Sequence, residues 1–222
     1  MVRHAAAEAL GTAFLLMAVV GSGIMGEWLA AGNAAIALLA NAIATGAALV
    51  ALIMTFGPIS GAHFNPAVTL AIAVEGGISW REVPAYCGAQ IAGAFAGVGA
   101  AHLMFGLPLF FASQHVRSGP ALIWSEFVAT FGLLFVILGC SRAHPSAVPW
   151  AVGTYITAAY WFTASTSFAN PAVTAARAAS DTFAGIRPVD VPGFVAAQLA
   201  GAAAATFLAR WLLPAQEAKS SP

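Results

Sequence analysis

The five-residue sequence Asn-Pro-Ala-Val-Thr occurs twice in this chain, at Asn65–Thr69 and at Asn170–Thr174. Each copy can begin an α-helix, because the asparagine side-chain oxygen can accept a hydrogen bond from a free backbone N–H of the first turn. Proline fits the next position, where its missing N–H costs nothing and its φ angle is already helical. Both copies lie in apolar surroundings, so each predicts a helix that begins inside a membrane, where a helix start is unusual.

The composition indicates a membrane protein. Of the 222 residues, 60% are hydrophobic and 7% are charged, whereas soluble domains carry about 25% charged residues. The net charge is zero and no basic run is present, which argues against nucleic acid as a partner. Cys87 and Cys140 lie in apolar stretches and are interpreted as buried thiols rather than as a disulfide or metal site. No metal and no cofactor is predicted.

Six stretches are long enough to cross a hydrocarbon core of about 30 Å, which needs about 20 helical residues. They are approximately Ala5–Met25, Ala34–Met54, Glu82–Phe105, Ala121–Cys140, Ala147–Ser165 and Val191–Leu213. The first could pass for a signal peptide, but Glu8 lies early in it, and we interpret it as a retained helix. Two shorter stretches, Asn65–Glu75 and Asn170–Ser180, begin with the repeated motif and would span about half a bilayer.

The two halves of the chain match beyond the motif. The matching positions include Glu8, Thr12 and Gly21 with Glu126, Thr130 and Gly139, and Gln90 and Gly93 with Gln198 and Gly201. An odd number of crossings in each half forces the second half to insert upside down. The sequence therefore predicts an all-α membrane protein with six transmembrane helices and two re-entrant half-helices. Its single domain, residues 1–222, would contain inverted repeats at approximately 5–106 and 121–213, with a transport path at their interface.

The distribution of cations favours one orientation in the membrane. Cytoplasmic termini place five cations inside (Arg3, Arg81, Arg142, Arg210 and Lys219) and three outside (Arg117, Arg177 and Arg187). Because cytoplasmic loops carry an excess of Lys and Arg, both termini are expected in the cytoplasm.

Inverted symmetry would bring the N-termini of the two half-helices together near the membrane centre. Each N-terminus carries about half a positive charge and several unpaired N–H groups, so the facing ends should repel cations and leave neutral polar solutes unaffected. With each Asn oxygen bound to its own helix start, the NH₂ groups of Asn65 and Asn170 would be free to donate into the lumen. This suits the passage of water or a small polyol and supplies no catalytic base or nucleophile, so no enzyme is predicted.

Three further polar residues are expected to support the re-entrant loops. Glu8 and Glu126 are the acids placed well inside long apolar helices, where a carboxylate is costly and usually has a task. Their symmetric placement favours hydrogen bonding to loop backbone over proton coupling. His63 lies two residues before Asn65 and is expected to satisfy loop backbone, with a pH gate as the alternative.

With these features the chain resembles the aquaporins, the major intrinsic protein family. The first motif reads Ser-Gly-Ala-His-Phe-Asn-Pro-Ala-Val-Thr over residues 60–69, and the run from Tyr160 to Ile186 is similar to bacterial aquaporins that accompany arsenic-resistance genes. The resemblance implies that the pore motifs are Asn65, Pro66 and Ala67 with Asn170, Pro171 and Ala172. It also implies a homotetramer, with one pore per subunit, surrounded by lipid in a bacterial inner membrane.

The second motif departs from the usual family pattern at Val173, where most members place an arginine. The family's outer constriction, carried over by offset from the two asparagines, falls at Thr45, Ala158, Ser167 and Val173. None of these is aromatic or cationic, so a wide and mildly polar filter is expected. The resulting hypothesis is a passive channel for water, glycerol and metalloid acids such as arsenite. The alternatives are a strict water channel and a proton-coupled secondary transporter.

Arg177 has two interpretations. It lies four residues after Val173, one turn along the same helix face, and could supply a cation at the outer mouth. It could instead pair with Asp181 at i+4, or meet solvent or lipid headgroups.

Overall fold

The computed structural model describes residues 1–213, which form helices joined by connecting segments. In chain order the helices are α1 (Val2–Leu29), α2 (Ala34–Ser60), α3 (Pro66–Val74), α4 (Val83–Met104), α5 (Pro120–Ala143), α6 (Val148–Phe162), α7 (Pro171–Arg177) and α8 (Val191–Leu212). Short 3₁₀ turns at Pro145–Ala147 and Pro188–Asp190 precede α6 and α8. Lys219, counted above among the inner cations, lies outside the described residues.

Within residues 1–213, five segments are long and apolar enough to cross a membrane: α1, α2, α4, α5, and α8 with its preceding turn. The remaining predicted span, Ala147–Ser165, forms α6 with only 15 residues, a length of about 22 Å. Two local features shorten it. Pro145 disfavours a helical conformation at His144, whose backbone is not helical (φ −143°, ψ 69°), and the backbone at Thr163 is extended where the chain leaves the helix.

Close backbone approach holds the long helices together in pairs. A Cβ atom built on Gly93 of α4 would lie 2.2 Å from the Ala9 carbonyl oxygen of α1, and one on Gly201 of α8 would lie 2.4 Å from the Phe127 carbonyl oxygen of α5. Small residues at such crossings allow apolar helices to gain dispersion energy where lipid offers no hydrophobic driving force. The two pairs, α1 with α4 and α5 with α8, therefore use the same packing device.

The two half-helices, α3 and α7, meet head to head and end on opposite sides of the bundle. The loops before their first residues exchange hydrogen bonds through Asn65 and Asn170. At the far end of α3, Glu75 contacts the C-terminal ends of α5 and α8. Beyond α7, Ser180 contacts His102 at the C-terminal end of α4. Because the segment after α4 leads into the start of α5, these contacts lie at opposite ends of α5.

Candidate functional site

The two asparagines connect the half-helices to each other. Asn65 Oδ1 accepts from Ala67 N at 2.9 Å and Asn170 Oδ1 accepts from Ala172 N at 3.0 Å, so each side chain caps its own helix. Asn65 Nδ2 donates to the carbonyl oxygen of Ala169 at 2.7 Å, and Asn170 Nδ2 donates to that of Phe64 at 2.8 Å. Each NH₂ group therefore donates one hydrogen across the junction, whereas both NH₂ groups were expected to be free. Each retains its second hydrogen for the lumen.

Glu8 holds the first re-entrant loop from α1. Its side chain is fully buried, with Oε1 accepting from His63 N at 3.0 Å and Oε2 accepting from Phe64 N at 2.7 Å. Gln90 Nε2 donates to the same carboxylate at 2.8 Å. The loop needs this support because Ala62 and Phe64 have φ angles of 51° and 50°, a left-handed conformation that costs non-glycine residues about 1–3 kcal/mol.

Glu126 holds the second loop from α5 in the same manner. It is also fully buried, and its two oxygens accept from Phe168 N and Ala169 N, each at 2.9 Å. Gln198 Nε2 donates to it at 2.6 Å. Ser167 and Ala169 occupy the left-handed region in this loop, with φ angles of 50° and 48°. Both carboxylates thus bind loop backbone, as their symmetric positions predict.

His63 lies on the lumen beside the first motif. Its Nδ1 is 3.1 Å from Thr69 Oγ1, and its ring lies 5.2 Å from that of Tyr86 between centroids. The backbone N–H of His63 is bound by Glu8, so the carboxylate rather than the imidazole satisfies this part of the loop.

A cavity of about 160 Å³ runs past both motifs. Its walls are mostly apolar side chains of α1, α2, α5 and α6, while the two loops and half-helices supply most of the polar groups. The lining residues are Leu15, Val19, Thr45, Leu49, Ile53, Gly61, Ala62, His63, Phe64, Asn65, Val68, Ile72, Leu133, Ile137, Ser141, Val148, Val152, Ile156, Tyr160, Ser167, Phe168, Ala169, Asn170, Val173 and Arg177.

Of the four expected filter positions, Thr45, Ser167 and Val173 line this cavity, and Ala158 does not. Ala158 is exposed on the outside of the bundle, on the same face of α6 as Trp150 and Trp161, which are 59% and 49% exposed. The assignment of Ala158 was wrong because an offset counted from Asn170 crosses the seven-residue connection 163–169. Any change in the length of that connection turns the position to another face of the helix.

Tyr160 is the pore-lining residue of α6 that the offset missed. It belongs to the row Val148, Val152, Ile156 and Tyr160, spaced at i+4, all of which line the cavity. Its hydroxyl lies 3.2 Å from Thr45 Oγ1, on α2, which packs directly against α6. In the sequence, this i+4 row lies on a different helix face from Trp150 and Trp161. That pattern was the signal that could have identified Tyr160 as a pore-lining residue. An aromatic side chain therefore lies beside Thr45, whereas the four filter positions carried over by offset include no aromatic residue.

Arg177 brings a cation to the same region. It is 2% exposed, lines the cavity, donates through Nε to the carbonyl oxygen of Ala184, and places its Cζ 3.3 Å from the centroid of the Phe168 ring. Asp181 instead accepts from Gln114 N at 2.8 Å, and no ion pair between Arg177 and Asp181 occurs within residues 1–213. The geometry agrees with the interpretation that directs Arg177 toward the lumen.

One polar atom in this part of the cavity has no partner. Ser167 Oγ is buried and forms no hydrogen bond among the described residues, although it lies on the lumen wall. An unpaired hydroxyl is costly in an apolar interior, and a permeating solute could satisfy it. The part of the chain that the structure describes contains no group of three or more His, Cys, Asp or Glu residues suited to a metal ion.

Comparison with known proteins identifies relatives over nearly the whole chain. The model of the family described as "Major intrinsic protein" matches residues 1–146. The chain is similar to the aquaglyceroporin AqpS of Rhizobium meliloti (strain 1021), with 60% identity over 213 residues, which is 96% of this chain and 91% of that protein.

More distant similarities extend to plants and to a solved structure. The aquaporin NIP1-1 of Oryza sativa subsp. japonica is 40% identical over 162 residues, covering 68% of this chain and 54% of the plant protein. The X-ray structure of the aquaglyceroporin from Plasmodium falciparum superposes with a TM-score of 0.72 at 19% identity, and the match covers 96% of both chains. At that identity the superposition establishes the shared fold.

Proposed function

The chain belongs to the major intrinsic protein family of membrane channels, and on that premise we propose that it is a passive channel for small uncharged solutes: water, glycerol and metalloid acids such as arsenite. It is a multi-pass membrane protein and not an enzyme. The name of its relative AqpS, an aquaglyceroporin, supports glycerol as one of the solutes.

The observation that carries this proposal is the head-to-head junction of α3 and α7 at the wall of the cavity. Helix N-termini concentrate partial positive charge and unpaired N–H groups, and here Asn65 and Asn170 add amide donors at the same level. Such a site binds solute oxygens and disfavours hydronium and metal cations. A solute that crosses it must be neutral and able to accept hydrogen bonds.

The chemistry of the lining supports a channel over a proton-coupled transporter. Among the described residues that line the cavity there is no Asp or Glu. Glu8 and Glu126, the buried carboxylates nearby, accept hydrogen bonds from loop backbone and from glutamine. A coupling site needs a carboxylate or similar group that can exchange protons with the lumen.

The region expected to act as the filter combines polar groups with one small apolar side chain. We propose that Thr45, Tyr160, Ser167 and Arg177 form its polar contacts and that Val173 leaves room where most of the family place an arginine. Val173 is 4% exposed and lines the cavity. A polyol or As(OH)₃ presents hydroxyl groups on a compact body, and a mixed surface of this kind can match both.

Flux through reconstituted liposomes tests the proposal. Purified protein should accelerate the movement of water, glycerol and arsenite, and each solute should be recovered chemically unchanged. A Val173→Arg variant should suppress glycerol and arsenite more than water, because the larger side chain fills the wall beside Thr45 and Ser167. Protein-free liposomes give the background flux through lipid. The wild type and the variant are compared at the same amount of reconstituted protein.

The strict water channel is the competing function, and the inward placement of Tyr160 and Arg177 is the observation in its favour. Liposomes that gain water permeability but still exclude glycerol and arsenite would establish that alternative. Solute flux that depended on an imposed proton gradient would instead point to coupled transport.

We further propose that the protein forms a homotetramer with one pore per subunit in a bacterial inner membrane, built from inverted repeats and with both termini in the cytoplasm. Arg142 and Arg210, two of the predicted inner cations, lie together beside Glu75, which supports a common cytoplasmic face. Native mass spectrometry in detergent tests the assembly, and labelling of cysteines introduced near each terminus in sealed vesicles tests the orientation.

A further inference from the structure

The segment between α4 and α5 contributes a buried arginine to the outer mouth. Arg117 is only 9% exposed, although surface connections rarely bury a charge. Its guanidinium donates to three backbone carbonyl oxygens, those of Gly185 at 2.7 Å, Ser165 at 3.3 Å and Phe183 at 3.3 Å. Burial lowers the pKa of Arg117 to about 10, so the group remains charged at neutral pH.

These carbonyls lie on both sides of the second half-helix. Ser165 precedes Asn170, and Phe183 and Gly185 follow Arg177. The guanidinium of Arg117 therefore connects the segment before α7 with the segment after it. The planar fork of arginine can bind several acceptors at once in fixed directions, which a lysine ammonium on a flexible stem cannot reproduce.

Arg117 and Arg177 share the same supports. Arg177 Nε donates to Ala184, whose two chain neighbours are the Phe183 and Gly185 that Arg117 holds. Both guanidinium groups also lie near the ring of Phe168, with Cζ-to-centroid distances of 4.9 Å for Arg117 and 3.3 Å for Arg177. Cations are attracted to the face of an aromatic ring, and more strongly where water is excluded.

Among the described residues, no carboxylate pairs with the guanidinium group of Arg117 or Arg177. The nearby Asp190 binds Arg187 and the backbone N–H of Arg117. Carbonyl oxygens and an aromatic ring are weaker partners than a carboxylate. The direction of Arg177 therefore depends on how firmly residues 183–185 and Phe168 are held.

We propose that Arg117 is a positioning residue for the outer mouth: it clamps residues 183–185 and Phe168 so that Arg177 keeps its place on the lumen wall, and solute selectivity depends on it. This rests on the proposed function only in taking the outer mouth as the place where solutes are discriminated. Arg117 itself does not line the cavity.

The test measures the ratio of glycerol to water flux through the same liposomes, because a ratio does not depend on the number of folded channels. Arg117→Gln and Arg177→Gln should each shift this ratio by about threefold or more, in the same direction. The double variant should shift it no further than either single change, since residues that act as a unit are not additive. Arg117→Lys should behave like Arg117→Gln, because the charge remains but the fork is lost.

Arg187→Gln is the matched control, since it also removes an outer cation but one that pairs with Asp190 at 3.0 Å, and it should leave the ratio unchanged. An unchanged ratio in Arg117→Gln beside a shifted ratio in Arg177→Gln would overturn the proposal, as would full additivity in the double variant. If Arg117→Gln does not fold, Arg117→Lys, which keeps the buried charge and loses the planar fork, takes its place under the same criteria. If the wild-type channel excludes glycerol, that result contradicts the proposed function but not the role of Arg117. The Arg117 and Arg177 variants would then be compared for glycerol flux that the wild type lacks.

Discussion

At the scale of single residues, the direction of a side chain on its helix decides whether it can act on a solute. Tyr160 lines the cavity and places its hydroxyl 3.2 Å from Thr45 Oγ1 of the neighbouring helix α2, whereas Ala158, two positions earlier, is exposed on the outside of the bundle. Positions only two residues apart on one helix can therefore differ completely in their effect on transport. Their different faces make these two residues a matched pair for mutation.

Tyr160→Ala should raise the ratio of glycerol to water flux by about two- to fivefold, because it removes an aromatic ring from the wall of the pore. Tyr160→Phe should change the ratio less, since it keeps the ring and loses only the hydroxyl contact with Thr45. Ala158→Leu should leave the ratio at the wild-type value. An effect of Ala158→Leu equal to that of Tyr160→Ala would show that the filter had been placed on the wrong face of α6.

The same pair shows which residues of the site are predictable from sequence. The caps Asn65 and Asn170 were predicted correctly as helix starts because capping is a local interaction between neighbouring residues. The inward direction of Tyr160 depends on the phase of α6 relative to a loop whose conformation is set by Glu126, which is distant in the chain. An offset along the sequence contains no information about that phase.

At the scale of elements, each re-entrant loop depends on one carboxylate from a neighbouring helix. Glu126→Gln should lower stability by about 1–3 kcal/mol for each loop N–H left without an acceptor, because a carboxamide offers one oxygen where Phe168 N and Ala169 N now use two. Thermal unfolding in detergent measures the loss. Glu27→Gln, at an exposed position of α1, should unfold like the wild type, and an equal loss in both variants would contradict a specific role for Glu126.

Helix pairing makes a second prediction at this scale, within α4. Gly93→Ala should destabilise the protein and reduce the yield of folded channel, because the new Cβ would lie 2.2 Å from the Ala9 carbonyl oxygen and force α1 and α4 apart. Gly88→Ala in the same helix meets no atom within 4 Å and should be neutral, or stabilising by up to about 1 kcal/mol. Size-exclusion profiles and melting temperatures in detergent distinguish the two, and similar behaviour of both variants would remove close packing as the explanation.

At the scale of the whole molecule, the tryptophans mark the two edges of the bundle. All six are exposed: Trp28, Trp80, Trp124, Trp150, Trp161 and Trp211. Each lies within a few residues of a helix end, and tryptophan is enriched at both membrane–water interfaces because its ring is amphipathic. The apolar outer surface between these edges fits a bundle surrounded by lipid or by neighbouring subunits.

Glu75 links the two halves of the chain at one of these edges. Its Oε1 lies 2.7 Å from Arg210 Nε and its Oε2 lies 2.6 Å from Arg142 Nη2, so the end of α3 is attached to the ends of α8 and α5. The carboxylate is 19% exposed and the two arginines are 48% and 17% exposed. Because the group is partly screened by solvent, the contribution to stability should be modest, about 1–2 kcal/mol in total.

Glu75→Gln should therefore lower the melting temperature by about 2–6 °C while leaving the ratio of glycerol to water flux unchanged, because the contact lies at the opposite end of the pore from Tyr160 and Arg177. Glu82→Gln, which removes a longer contact of 3.7 Å to His4, should melt within about 1 °C of the wild type. Combining Glu75→Gln with Arg210→Gln should cost less than the sum of the two single changes, since both remove the same ion pair. Additive losses would mean that Glu75 and Arg210 stabilise the protein independently and that the two halves are held together elsewhere.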